Sequence, residues 1–197
     1  MAVHRLFPTL LYSDRLSPSV TKLNREILQD VARLQREDES GLEWSRENYY
    51  GGYTSYGSMS ELHRISSTFL DFELRMNRHV KRYVRALGLD LDGRKLEMTS
   101  CWVNVMGPGC AHSLHLHPQS VLSGTYYVQT PPGGGDFKVE DPRLSKFMGA
   151  PARPDLFVRF APKAGSLVLF ESWLRHEVEP SRTAAKTPRI SVSFNYG

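Results

Sequence analysis

The sequence predicts an α+β fold: a double-stranded β-helix, the cupin-like jelly roll, with two N-terminal flanking helices. Three observations predict it. Apolar residues recur at helical spacing in two stretches before residue 94, the period switches to two after it, and eight short strand-like segments parted by Gly/Pro turns run on to residue 196. A length of 197 residues suits a single domain. Within it, residues 1–94 are expected to form a helical part that packs on the barrel, and residues 95–197 its jelly-roll core.

The elements follow in order. Leu6 to Tyr12 reads as an edge strand, because Pro8 forbids a helix interior and its neighbours are apolar or β-favouring. Behind Ser17-Pro18, a suitable helix start, Val20, Leu23, Ile27, Val31 and Leu34 predict a helix over 18–37. Residues 39–58 are rich in Gly, Ser, Tyr and Asn around Tyr49-Tyr50-Gly51-Gly52-Tyr53 and read as a long loop. Such a loop is either a lid carrying substrate-contacting tyrosines or a segment pinned by half-buried aromatics, and the second reading is favoured. Leu62, Ile65, Phe69, Phe72, Met76, Val80, Tyr83 and Leu87 then make the core-facing stripe of a second helix, which Gly88 ends. Strands are expected near 95–106, 113–117, 121–129, 135–140, 155–160, 165–170, 175–179 and 189–196.

Composition narrows the function. Hydrophobic residues make up 40% and charged residues 23%, so the chain resembles ordinary globular proteins and can bury a core. The net charge of +4 comes from 25 basic and 21 acidic residues spread without a dense Lys/Arg run, which gives no support to nucleic-acid binding. Cys101 and Cys110 are too few for a disulfide framework and lack zinc-knuckle spacing, so a reduced, cytoplasmic setting is expected. The N-terminus lacks a signal-peptide layout, and no apolar stretch approaches the roughly 18 residues of a membrane span. Sheet edges of this architecture can pair, so a homodimer is compatible with the sequence.

The chemical signal is histidine. Of seven histidines, His112, His115, His117 and His176 lie in the strand-rich half. Side chains two apart on a strand share a face, so His115 and His117 can converge on one ion, with Leu116 turned the other way and His176 as the third ligand. His112, three residues from His115, would project to the opposite face and ranks fourth. A bare His-x-His is more often a pair of polar residues on a strand edge. Its setting, Leu114-His115-Leu116-His117-Pro118 before the apolar strand Leu122 to Val128, favours the metal reading.

Asn104, Met106, Gly109, His115 and His117 keep the spacing of an Asn-x-Tyr-x-x-Gly motif followed by His-x-Asp, and His176 precedes Arg189-Ile190-Ser191 by about a dozen residues. On these residues the sequence resembles the iron(II)/2-oxoglutarate-dependent oxygenases. It is most similar to an uncharacterised subfamily with microbial and phage members, through Leu6-Phe7-Pro8-Thr9, Trp102-Val103-Asn104, Ser123-Gly124-Thr125-Tyr126-Tyr127, Asp141-Pro142-Arg143 and Ser193-Phe194-Asn195. The resemblance implies Fe(II) on His115, His117 and His176, with 2-oxoglutarate as co-substrate. Arg189 would pair with its distal carboxylate, with Ser191, Asn104 and Tyr127 as further donors. Arg143 and Arg175 are alternatives to Arg189. The implied activity is hydroxylation of a small-molecule or peptide substrate that the sequence does not identify.

One departure matters: His117 stands where the family's carboxylate ligand would be, so the site loses one negative charge. Asp136, Glu140 and Asp141 are less well placed to supply it. Two other classes compete with the oxygenase reading. One is a cupin-like metalloenzyme that needs no 2-oxoglutarate; the other is a non-catalytic jelly-roll binding module with structural histidines. Residues 39–58 and 141–154 are expected to rim the mouth of the barrel.

Overall fold

The structure, a computed structural model, describes residues 1–4, 6–16, 20–143, 149, 156–183 and 187–197. The N-terminal half carries β1 (Tyr12–Arg15), α1 (Val20–Glu37), α2 (Glu39–Asn48), β2 (Gly52–Thr54), α3 (Leu62–Ile65) and α4 (Ser67–Leu87). The rest is strands: β3 (Met98–Met106), β4 (His112–His115), β5 (Leu122–Gln129), β6 (Phe137–Glu140), β7 (Phe157–Phe160), β8 (Ser166–Glu171), β9 (His176–Val178) and β10 (Arg189–Tyr196). They form two antiparallel sheets, one in the order β1-β8-β5-β10-β3-β2 and one in the order β4-β9-β6-β7.

Strand alternation decides what each face of the larger sheet meets. On β10, Ile190, Val192 and Phe194 join one apolar cluster with Val103 and Val105 of β3 and with the buried stripes of α1 (Leu23, Ile27, Val31) and α4 (Phe69, Phe72, Met76). Each apolar side chain fully buried there contributes about 1.5–3 kcal/mol. The intervening residues Arg189, Ser191, Ser193 and Asn195 point the other way, into a cavity whose lining also includes His112, Phe137, His176 and Val178 of the smaller sheet. A second apolar cluster, including Met106, Tyr127, Val139 and Phe170, closes the space between the sheets.

All eight expected C-terminal strands are present, and the first helix runs as expected from Val20 to Glu37; its expected Ser17-Pro18 start lies outside the described residues. Three expectations need correction. The edge strand is Tyr12–Arg15, pairing with β8, whereas residues 6–10 are not strand and Phe7 has φ of 52°. Residues 39–58 are not one loop, because Asp38 caps α2 by accepting from Gly41 N (2.9 Å), and β2 pairs with β3. The Asp38 carboxylate also accepts from Tyr53 (2.7 Å) and Ser58 (2.5 Å), so one buried acid holds the segment. The second helix breaks at Ser66 (φ −133°, ψ 131°), whose hydroxyl donates to Asp30; Gly88 ends α4 in the left-handed conformation (φ 66°).

Candidate active site

The two sheets face each other across a cavity of about 350 Å³. The smaller sheet brings three imidazoles together on it. His115 ends β4 opposite His176 on β9, and His117 follows two residues on, held by its own N–H to Ser172 O (3.0 Å). Ring centroids are 4.3 Å apart for His115 and His176, 5.1 Å for His117 and His176, and 5.2 Å for His115 and His117. One nitrogen from each ring lies within 4.8 Å of those of the other two.

The outer nitrogens settle which atoms face inward. His115 Nδ1 lies 2.6 Å from Ser113 O, His117 Nδ1 2.7 Å from Asn195 Oδ1, and His176 Nδ1 2.9 Å from Leu174 O. Each partner is an oxygen acceptor, so each Nδ1 carries the proton and donates, leaving the Nε2 lone pair free. His117 Nε2 and His176 Nε2 then face each other at 3.3 Å with no proton between them. Burial holds His117 at about 4 and His176 at about 3, well below the usual histidine value, so both are neutral imidazoles at pH 7. Three converging lone pairs are a metal's donor set.

Deeper in the cavity lies Arg189. It is 1% exposed, and its Nε has no hydrogen-bond partner. Nη1 reaches Ser191 Oγ at 3.4 Å, and the guanidinium lies 5.2 Å from the centroid of the Tyr127 ring. The Tyr127 hydroxyl, raised to about 12 by burial with Arg189 opposing, is also buried without a partner, as is that of Tyr49. A buried guanidinium beside unpaired hydroxyls is a cradle for an anion. Asn104 also lines the cavity, but its amide is already engaged: Oδ1 accepts from Thr54 Oγ1 (2.9 Å) and Nδ2 donates to Ser193 Oγ (3.0 Å).

The structure corrects two placements and decides several alternatives. His112 does not project away: a register shift between His112 and His115 turns it into the same cavity, where burial lowers it to about 3 and its ring lies tilted against Tyr49, centroids 5.0 Å apart. It is not part of the three-histidine cluster. Leu116, half-exposed, sits on the cavity rim and is not turned from it. No carboxylate joins the cluster among the described residues; Glu140 pairs with Arg175 (3.1 Å) and Asp141 with Arg143 (2.5 Å), which also occupies both alternatives to Arg189. Of the expected rim, 144–148 and 150–154 lie outside the described residues. Asn195 is not singled out for the site from sequence, though the alternation Arg189, Ser191, Ser193, Asn195 points to it; Tyr49 stands in the tyrosine run at 49–53 and lines the cavity.

Comparison with known proteins agrees with this geometry. Residues 100–195 match the family described as "Putative 2OG-Fe(II) oxygenase". No curated protein matches the chain. Among solved structures, the chain is similar to a prolyl-4-hydroxylase from Pseudomonas putida, with 18% identity and a TM-score of 0.63 over 95% of this chain and 92% of that one. It is similar to HygX from Streptomyces hygroscopicus, crystallised with nickel, 2-oxoglutarate and hygromycin B, with 12% identity and a TM-score of 0.64 over 96% and 83%. It also resembles the epimerase SnoN from nogalamycin biosynthesis, with 16% identity and a TM-score of 0.62 over 95% and 76%. The matched segment, residues 100–195, carries His115, His117, His176 and Arg189, and the class it defines is that of iron- and 2-oxoglutarate-dependent oxygenases.

Proposed function

We propose that the chain is a single-domain Fe(II)/2-oxoglutarate-dependent oxygenase of the hydroxylase type. Strands β3 to β10 supply the double-stranded β-helix, and the N-terminal part adds β1 and β2 to the edges of its larger sheet and packs α1 and α4 on that sheet's apolar face. The observation that carries this reading is the convergence of three Nε2 lone pairs whose Nδ1 protons are all committed elsewhere. A cation resolves the otherwise repulsive contact between His117 and His176. The same fold carries iron in one HygX structure and nickel with 2-oxoglutarate in another.

In this reading His115, His117 and His176 hold the iron. Arg189 receives the far carboxylate of 2-oxoglutarate, assisted by Ser191 and the Tyr127 hydroxyl, and Asn104 keeps the neighbouring wall polar. When bound, the two supply the oxidising chemistry: dioxygen is consumed, 2-oxoglutarate loses carbon dioxide to give succinate, and a substrate C–H bond is hydroxylated. The protein's part is positioning. Asn195, Ser113 O and Leu174 O fix the imidazole tautomers, while Phe137, Phe170 and Val178 line the cavity with apolar surface that limits water around the charged groups. With three neutral donors, the charge of iron(II) is balanced by the co-substrate rather than by a protein carboxylate.

The test is an anaerobic titration of the iron-loaded protein with 2-oxoglutarate, watching for the visible charge-transfer band of the chelate, with His117→Ala as control. A band present in the parent and absent from the variant is expected. Iron binding without the band would replace this reading with the cupin-like one, and failure to bind iron would favour a structural role for the histidines.

A further inference from the structure

The wall of the cavity nearest its mouth is aromatic. Trp102 of β3 stacks on the His117 imidazole, centroids 5.9 Å apart and planes 26° apart. Tyr56, in the turn after β2, lies 5.1 Å from Trp102, and Trp44 of α2 meets Tyr56 edge-on at 6.3 Å. The three rings make one continuous surface from a metal donor to solvent, where Tyr56 is 53% exposed. Trp44 and Tyr56 lie outside the residues matched by the family, 100–195.

The wall is rigid. Tyr56 N–H donates to Thr54 Oγ1 (3.2 Å), and the same hydroxyl donates to Asn104 Oδ1 on β3. Trp44 packs over Gly57, where any Cβ would run into the indole. A preorganised ring surface left open at a cavity mouth is suited to covering by a ligand's own apolar face.

Charge restricts what can lie there. The cavity lining holds no carboxylate and no lysine, and Arg189 is its single fixed charge among the described residues. With 2-oxoglutarate bound, its two carboxylates offset the metal's charge and the Arg189 guanidinium leaves the site one net positive charge, so a substrate cation would find no counter-charge in the lining. An aromatic cage could offset this repulsion, but a cage needs ring faces converging on one point. Here the rings pack against one another, at 68° and 58° between neighbours.

We propose that Trp44, Tyr56 and Trp102 form the substrate-binding wall, and that it takes an elongated substrate with an apolar ring or flat face and no positive charge. The ring seats on Tyr56 and Trp44. Trp102 stands between that seat and His117, so the reacting C–H belongs to a part of the substrate reaching past the ring toward the histidines. The inference rests on the oxygenase reading and names the substrate class for its site.

The test uses protein loaded with nickel(II) and saturating 2-oxoglutarate, and three probes with one ring and one chain length: 4-phenylbutanol, 4-phenylbutanoate and 4-phenylbutylamine. Ringless hexanoate is the control. Saturation-transfer NMR is expected to show the alcohol and the carboxylate binding through their rings, with the amine and hexanoate each about tenfold weaker. Tyr56→Leu and Trp44→Ala should weaken the ring probes by about tenfold, and Tyr56→Phe should restore binding. Because Tyr56 is half-exposed, its substitutions leave the core intact even if Trp44→Ala does not fold. Tightest binding by the amine, equal binding by hexanoate, or indifference to Tyr56→Leu would each overturn the inference. Protein that takes up nickel and 2-oxoglutarate but ignores the ring probes loses only this inference; protein that takes up neither loses the oxygenase reading and the inference with it.

Discussion

His117 donates its Nδ1 proton to Asn195 Oδ1 at 2.7 Å, across a separation of 78 residues. Asn195 is itself held, accepting from Ser123 Oγ (2.8 Å) and donating to Ser100 Oγ (2.9 Å). The carboxamide therefore sets the tautomer and tilt of a donor in the segment that follows β4. Asn195→Leu removes no donor atom, yet metal affinity should fall about tenfold to a hundredfold. Competition with a chelator measures it, and unchanged affinity would show that His117 needs no orienting partner.

Arg189→Met should cost about tenfold to a hundredfold in 2-oxoglutarate affinity, the worth of a charge-assisted pair, while the histidines keep their metal. Calorimetry on the zinc-loaded protein separates the two. Retained co-substrate affinity would remove Arg189 from the anion cradle.

The pH behaviour of the metal-free protein follows from burial. His117 at about 4 and His176 at about 3 lie below the 6.5 that imidazoles have in the unfolded chain. The unfolded state therefore binds protons that the folded state refuses. Their contribution to stability is complete above pH 6.5 and is lost as pH falls toward about 4. Imidazole NMR signals of both residues should stay in the neutral form down to pH 5, and the melting temperature should drop between pH 7 and 5. A titration midpoint near 6.5 for either ring would contradict the burial seen here.

Gly124 lines the cavity on β5, and a Cβ there would sit 2.6 Å from the Phe194 ring and 2.7 Å from Leu169, both buried. Neither neighbour has room to retreat. Gly124→Ala should cost about 1–3 kcal/mol, lowering the melting temperature by several degrees. Thermal unfolding that matches the parent would mean the α4 side of the sheet yields more easily than its packing indicates.

Asp38→Ala removes the acceptor shared by Gly41 N, Tyr53 and Ser58 and leaves a buried phenol unpaired. A loss of about 2–4 kcal/mol is expected in urea unfolding. Since α2 and β2 carry Trp44 and the approach to Tyr56, ring-probe binding should weaken as well.

The sequence by itself determined the strand-rich half, the two amphipathic helical stripes and the histidines of the site. Each rests on a short-range signal: a period of two or 3.6, a glycine after a helix, a His-x-His on an extended segment. Residues 39–58 escaped that reading because β2 is held by pairing with β3 and by Tyr53 and Ser58 reaching back to the buried Asp38, contacts that local periodicity does not carry; only the Asp38 cap of α2 is a local signal. Only the tertiary structure decided the rest of the site. Strand order placed β10 between β3 and β5, and so brought Asn195 to His117 and the Arg189 guanidinium over the Tyr127 ring. A register shift in β4, invisible in a residue count, turned His112 inward. Whether a carboxylate joins the three-histidine cluster was likewise a question of reach: Glu140 and Asp141 pair with Arg175 and Arg143, and among the described residues the cluster is His115, His117 and His176.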